Sequence, residues 1–568
     1  MTSPYAKELN AIIVGAGPAG IAMAYRLKHE LGFEDFTIYD KLDGVGGTWR
    51  TNTYPGCGCD LKSVLYSFSF NPNPNWSREL CQQPEILQCK YFPTLPMYVP
   101  QADEETDMED TVDKFDIRKH VHPSVECKGA VWHNERSKWE VKLKDMQTGI
   151  EYSRFATVFV SAVGAISYPR DVKFPGMERF KGPMFHTARW DHSVNYKGKR
   201  VAVIGNGCSA AQVVPAIAPD VAYVKQYARS GQWYHERPNH EYTSLEKYAF
   251  RWLPLWQKLL RLSIFLEADE ETNAYFPTPA GVKSRAKKEA ESTKYILSVA
   301  PDKYHKALIP RFPLGCKRRI FDPGYLESLN RENVSLIPEG IQEITETGIV
   351  STSGLSDDYD IIVLATGFQV SQFLTPMAIA GANGKALHDQ WAECRGAQAY
   401  LGTHVHNYPN LAILFGPNTF PANNSALFAC ETQVDYAIKS LFTPLVDRRA
   451  SIIEVKQSYE DRTTNAVHQG LQATVFSGDC SNWYMGDFGR NAASWPGLAR
   501  SFWWATYFPD WKAFNMSGGS RFWRLYALQR WFKTLSTTSW LLLLAGGAAA
   551  AGRTSLLSPL VERIRSSF

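Results

Sequence analysis

The residues best placed to do chemistry are glycines. Gly15-Ala16-Gly17-Pro18-Ala19-Gly20 follows the apolar run Ala11 to Val14 at once and opens into a helical stretch, IAMAYRLKHE. A GxGxxG match carries weight only in that strand–loop–helix setting. There Gly15 permits a tight turn, Gly17 lets the backbone approach a pyrophosphate, and Gly20 lets helix and strand pack closely. Free N–H groups at the helix start then face the anion. A second apolar run, Phe36 to Tyr39, ends at Asp40, placed to accept hydrogen bonds from a ribose.

The pattern recurs much later. Arg200 to Ile204 reads as a strand, Gly205-Asn206-Gly207-Cys208-Ser209-Ala210 as the loop, and AQVVPAIA as a helix start. Ala210 at the third glycine position still packs closely. After the next strand, Val221 to Tyr227, Arg229 and Ser230 stand where the first copy has an acid. A cation there suits a 2′-phosphate and so predicts NADPH; a solvated surface arginine is the alternative for Arg229. One such loop would serve a dehydrogenase. Two in series, with opposite endings, predict a flavoprotein in which NADPH hands a hydride to bound FAD.

Loops of this kind need parallel strands and crossover helices to hold them. The predicted fold class is therefore α/β, with two Rossmann-like dinucleotide-binding domains, one for FAD and one for NADPH, and a helical insertion. The chain has 568 residues, enough for two or three domains, with 44% apolar and 21% charged residues. Those fractions exclude wholesale disorder and a polytopic membrane protein. Lys and Arg total 61 against 57 Asp and Glu, a net charge of +4, which argues against a nucleic-acid binder working through a broad basic field. Seventeen Trp, 27 Tyr and 30 Phe suit large apolar pockets. The ten cysteines show no zinc-type spacing, so no metal is expected and reduced thiols are the simpler reading. The N-terminus MTSPYAKELN shows no secretory signal, which predicts a cytoplasmic protein.

Between the two loops lies Phe180-Lys181-Gly182-Pro183-Met184-Phe185-His186-Thr187-Ala188-Arg189-Trp190-Asp191. This resembles the FxGxxxHxxxW(P/D) fingerprint of Baeyer–Villiger monooxygenases, the NADPH- and FAD-dependent enzymes that insert an oxygen atom beside a ketone. Every fixed position matches: Phe180, Gly182, His186, Trp190 and Asp191. Gly46-Gly47-Thr48-Trp49, and Tyr54-Pro55-Gly56 followed by Cys59-Asp60, are similar to the family's flavin-contacting stretch. Pro313-Leu314-Gly315-Cys316-Lys317-Arg318 is similar to its active-site arginine segment, and Ala365-Thr366-Gly367-Phe368 to its domain-return motif. Leu414 to Asn418, then Trp483-Tyr484 through Trp495-Pro496-Gly497, complete an ordered set spanning about Ala11 to Phe514.

The resemblance implies that Gly47, Thr48, Trp49, Asp60, Tyr66 and Asn418 help hold FAD, and that Lys317 with Arg229 and Ser230 meets the NADPH 2′-phosphate. It implies Arg318 as the fixed cation at the reacting centre and Asp60 as the partner that positions it. Arginine stays charged at any working pH, so it suits that task. Arg319 is the equivalent if the alignment slips by one, and a phosphate or surface contact is the alternative for Arg318. His186 helps couple the two cofactor domains, or is a satisfied residue of a linker. Oxygen activated on the flavin attacks a ketone carbonyl when kept anionic and oxygenates nitrogen or sulfur when protonated. The rival functions are thus an N- or S-oxygenating flavin monooxygenase and a non-catalytic FAD/NADPH-binding protein.

The expected division is an FAD domain at 1–165 and 367–514, interrupted by an NADPH domain at 166–240 and 310–366. The latter is itself interrupted by a helical insertion at 241–309, whose periodicity is helical. Residues 90–110, with three prolines and then six acids, read as an irregular insert peculiar to this chain. The tail at 515–568 holds nineteen uncharged residues from Thr534 to Gly552, of which the strongly apolar part is short for a span. A packed helix or a membrane-surface contact is expected there. The expected partners are a bulky apolar ketone of specialised metabolism and O2.

Overall fold

The computed structural model describes residues 9–87, 108–477, 482, 484–486 and 488–534. Nearly all of the 90–110 insert and of the apolar tail lies outside the described residues. The short helix Met108–Lys114 takes up the last residues of the former.

Two parallel sheets organise the chain. The first has five strands in the order Leu411–Ile413, Val158–Ser161, Ala11–Val14, Phe36–Tyr39, Val121–His122, each paired in parallel with its neighbour. Its strands Ala11–Val14 and Val158–Ser161 are buried at every position and apolar but for Ser161, as parallel strands covered by helices must be. A strand from beyond residue 410 thus completes a sheet begun at residue 11. The second sheet also has five parallel strands, in the order Val334–Ile337, Tyr223–Tyr227, Arg200–Ile204, Ile361–Leu364, Met184–His186.

Each glycine loop leaves the carboxyl end of a central strand and enters a helix: α1 (Pro18–Tyr25) in the first sheet and α2 (Cys208–Ile217) in the second. A four-stranded sheet, Ala378–Ala380, Val125–His133, Lys138–Asp145, Glu151–Ala156, packs beside the first sheet, and Trp139 is fully buried against Phe159. Three longer helices stand between Tyr234–His235 and Ile320–Phe321, the two short strands that pair with each other. They are α3 (Ser244–Trp252), α4 (Pro254–Glu271) and α5 (Pro279–Val299). The α3 start carries a capping box, with Thr243 accepting from the Glu246 N–H and Glu246 returning the bond.

One cysteine departs from the expectation of reduced thiols. Cys316 is disulfide-bonded, whereas Cys57, Cys59, Cys81, Cys127, Cys208, Cys394 and Cys430 are free. Linear spacing says nothing about which thiols a fold brings together, so the sequence held no sign of this.

Candidate active site

The first glycine loop behaves as its residue types demand. Gly15 has φ of +109°, and a Cβ there would stand 2.4 Å from the Ala162 carbonyl oxygen. A Cβ on Gly20 would meet the Gly15 carbonyl at 2.0 Å, so only glycine lets α1 lie this close to its strand. Gly47 faces Gly17 so closely that its Cβ would come within 2.8 Å of the Gly17 Cα. No side chain caps the start of α1 at Gly17, which leaves its N–H groups for an anion. Asp40 is buried, and its two oxygens accept from the Ala16 N–H at 2.6 Å and the Leu42 N–H at 2.8 Å. Burial pushes its carboxyl up, while those two N–H groups and the nearby cations pull it down.

Gly15, Gly17, Asp40, Gly47, Thr48, Trp49 and Tyr66 line one cavity of about 1220 Å³, its open mouth included. Phe415, Leu427 and Cys430 form the opposite wall. Trp49 Nε1 donates to the Tyr66 hydroxyl at 3.1 Å, fixing both rings. An apolar cleft that ends in an uncapped helix start and a buried carboxylate fits a dinucleotide. Asn418 stands apart from that lining. Its amide donates to the Asn491 and Ser494 carbonyls, pinning the 414–420 turn to the 491–494 segment.

The second loop is built alike but left open. Gly205 has φ of +129°, and its Cβ would meet the Ala365 carbonyl at 2.2 Å. Nothing lies within 4 Å of where a Gly207 Cβ would stand, and no side chain caps α2 there. Ala210 is fully buried. Arg229 and Ser230 are exposed beyond the Tyr223–Tyr227 strand. Lys317 Nζ lies 3.4 Å from the Ser230 hydroxyl, and burial together with the Arg229 charge holds its ammonium below the usual lysine range. Among the described residues, neither Arg229 nor Lys317 has a carboxylate in salt-bridge reach, so the pair fits a doubly charged phosphate.

Arg318 and Asp60, far apart in sequence, meet as a fork. Arg318 Nε donates to Asp60 Oδ2 at 2.9 Å, and Nη2 lies 2.7 Å from both oxygens. The Asp60 charge holds the Arg318 guanidinium above its ordinary value against the opposing effect of burial. The Arg318 side chain is 31% exposed. Arg319 turns the other way, is only 6% exposed and pairs with Glu271 at the end of α4; burial pushes its guanidinium down to about 10. The insertion helices thus hold the segment, because Glu289 of α5 also accepts from the Leu314 N–H at 2.8 Å. Tyr275, Phe476 and Tyr484 stack edge to face beside it, and the Arg318 charge reaches both tyrosines.

The fingerprint segment supplies the edge strand Met184–His186 of the second sheet. His186 is buried, its Nδ1 accepts from the Ala188 N–H at 3.1 Å, and its ring meets Phe368 edge to face. Burial pulls its pKa down to about 4, so the ring is neutral. Phe180 packs under the second sheet, Gly182 allows close approach to the Asp360 carbonyl, Trp190 meets Phe185, and Asp191 accepts from Ser193 in an exposed turn.

Two residues with contacts here had no sequence signal. Arg237 Nη2 donates to the Cys59 carbonyl at 2.8 Å, beside Asp60. Gln212 of α2 accepts from the Tyr54 hydroxyl at 2.8 Å and donates to the Gly58 carbonyl at 3.0 Å. The helix of the second loop therefore grips the stretch that carries Asp60, and no spacing rule connects them.

Residues 13–83 match a family described as an NAD(P)-binding Rossmann-like domain. The chain is 34% identical over 505 residues to a Baeyer-Villiger monooxygenase of Pseudomonas aeruginosa, covering 88% of this chain and 90% of that protein. It is 33% identical over 501 residues to the FAD-binding monooxygenase ktnD of Aspergillus niger, covering 85% and 78%. The fold superposes on the crystal structure of cyclohexanone monooxygenase from Rhodococcus sp. Phi1 bound to NADP+, with a TM-score of 0.76 and 26% identity over 90% of this chain and 99% of that one. Two glycine-loop nucleotide sites here agree with likeness along nearly the whole length. The protein is a flavin-dependent NADPH monooxygenase, and the chain belongs to the Baeyer–Villiger monooxygenase family.

Proposed function

We propose that the ketone is bulky and apolar, that Arg318 is the cation at the reacting centre, and that Asp60 is its positioning residue. The overall change consumes NADPH, O2, a proton and the ketone, and releases NADP+, water and an ester or lactone. Bound FAD supplies the reduced ring on which O2 is activated. The chain's residues do the rest. Asp60 grips Arg318 through both oxygens, so the guanidinium keeps one orientation without reorganising during the reaction. Its permanent charge favours the anionic form of activated oxygen, which attacks carbonyl carbon. The aromatic cluster of Tyr275, Phe476 and Tyr484 lies beside that charge and offers an apolar wall to the ketone. Arg229, Ser230 and Lys317 hold the coenzyme's 2′-phosphate.

The Arg318–Asp60 fork is the observation that supports this reading most. The test is product analysis with purified holoenzyme, NADPH, isotopically labelled O2 and ketones of graded size. Bulky apolar ketones should give an ester carrying one labelled oxygen. Oxygenated amines or sulfides without any ester would favour the rival reading, and peroxide release alone would reject catalysis.

The same proposal divides the chain into FAD-binding (1–165, 367–514), NADPH-binding (166–240, 310–366) and helical (241–309) parts. Residues 534–552 are proposed as a membrane contact of an otherwise cytoplasmic enzyme. No helix among the described residues is long and apolar enough to cross a membrane. Partition of the full and tail-deleted chains between soluble and membrane fractions tests that contact.

A further inference from the structure

Helix α4 carries apolar residues on both of its sides. Inward, Ile264 is buried in the core with Leu260 and Phe265 packed on it, beside polar groups: buried Gln257 donates to the Asn73 carbonyl at 2.7 Å, and Arg261 donates to the Val64 and Ser67 carbonyls at 3.0 and 2.9 Å. Asp269, fully buried, accepts from the Ala499 N–H at 2.6 Å. The outward face is apolar. Leu255, Leu259, Leu262 and Leu266 repeat at helical spacing and are 68%, 54%, 50% and 40% exposed, with Trp256 beside them at 58%. A helix that only had to pack on this core would keep its outer face polar.

The preceding helix continues the same habit. Leu245, Tyr248 and Trp252 of α3 follow one another by three and four residues and are all more than half exposed, as is Leu253 at the bend. So large an apolar surface on a folded chain marks a place where something docks. The charges nearby say what. From Ser244 to Leu262 the exposed or half-exposed charges are Lys247, Arg251 and Lys258 against a single acid, Glu246, since Arg261 is turned inward. That acid is already tied to the Thr243 cap and His240.

We propose that the α3–α4 hairpin lays this face on an anionic lipid surface. Leucines reach the acyl boundary, Tyr248, Trp252 and Trp256 sit at headgroup level, and Lys247 and Lys258 meet the lipid phosphates. A second copy of the chain is the competing occupant; a like-charged basic face disfavours it. The far end of α4 reaches the active site through the Glu271–Arg319 pair, so the docked helix also supports the reacting segment. Docking is independent of the ketone reading, and it is measured without turnover.

The experiment is flotation of the holoenzyme, both as the full chain and with residues 535–568 removed so that the tail's own contact is subtracted, with vesicles of phosphatidylcholine, with and without about 30 mol % phosphatidylserine. The parent should float with the anionic vesicles and be released by salt. Combined Leu255→Ser, Trp256→Ser and Leu259→Ser should weaken that binding by about tenfold or more while retaining flavin. Combined Lys247→Glu and Lys258→Glu, which leave the apolar face intact, should abolish the preference for phosphatidylserine. A parent that never floats, or serine variants that float as well as the parent, would overturn the proposal. So would a parent dimer that the serine variants dissociate without any vesicle binding.

Discussion

The two nucleotide sites share one design and differ in finish. At the first, glycine backbones press on each other, the ribose acid is buried, and the far wall comes from Phe415, Leu427 and Cys430. At the second, the space over Gly207 is open, Arg229 and Ser230 are exposed, and two cations lie together without carboxylate partners among the described residues. A deep, walled cleft suits a group that stays; an open shelf with free charge suits a coenzyme that must leave after each hydride. The difference lies in what surrounds the loops, because the loops themselves are near copies.

The largest effect should come from closing the first site. Gly15→Ala puts a methyl group against the Ala162 carbonyl at a φ that L-residues avoid, and the purified protein should carry no flavin absorbance. Gly207→Ala meets nothing, has an ordinary φ, and should leave flavin content unchanged. Equal flavin loss in both would break the contrast between the sites.

Next in size is removal of the paired cations. Arg229→Ala with Lys317→Ala should raise KM for NADPH by about tenfold to a hundredfold and erase the preference over NADH, at nearly constant kcat. Steady-state kinetics with both coenzymes checks this.

The smallest effect is one of pH. Burial and Arg229 lower the Lys317 pKa, so as pH rises the ammonium loses its proton before an ordinary lysine would. In the free enzyme kcat/KM for NADPH should therefore fall at a pH below the usual lysine range, by a few-fold. Arg229→Ala removes one cause of the shift and should move that inflection upward. Flavin retention should not follow the same curve.

Much of this contrast was legible in residue types. The order of glycines, the acid at Asp40 and the cation at Arg229 are local signals, because a turn, a ribose contact and a phosphate contact each need a particular residue at a particular offset. The unreadable parts are long-range. Nothing in the spacing says that Leu411–Ile413 completes the first sheet, that Gln212 grips the Tyr54–Gly58 stretch, or that Cys316 is disulfide-bonded. The Asp60–Arg318 fork came only from resemblance, since its partners are 258 residues apart. Helical periodicity located α4 but not its exposed leucine stripe, because a stripe of leucines reads the same whether it points inward or out.

The central claim is that Arg318 directs activated oxygen to carbonyl carbon. The direct measurement is the ratio of ester formed to NADPH oxidised in the Arg318→Ala holoenzyme, beside Asp60→Ala and the parent. The account predicts continued NADPH oxidation with ester reduced by about a hundredfold or more for Arg318→Ala, and a smaller loss for Asp60→Ala with flavin retained. An Arg318→Ala enzyme that makes ester at the parental ratio would contradict it.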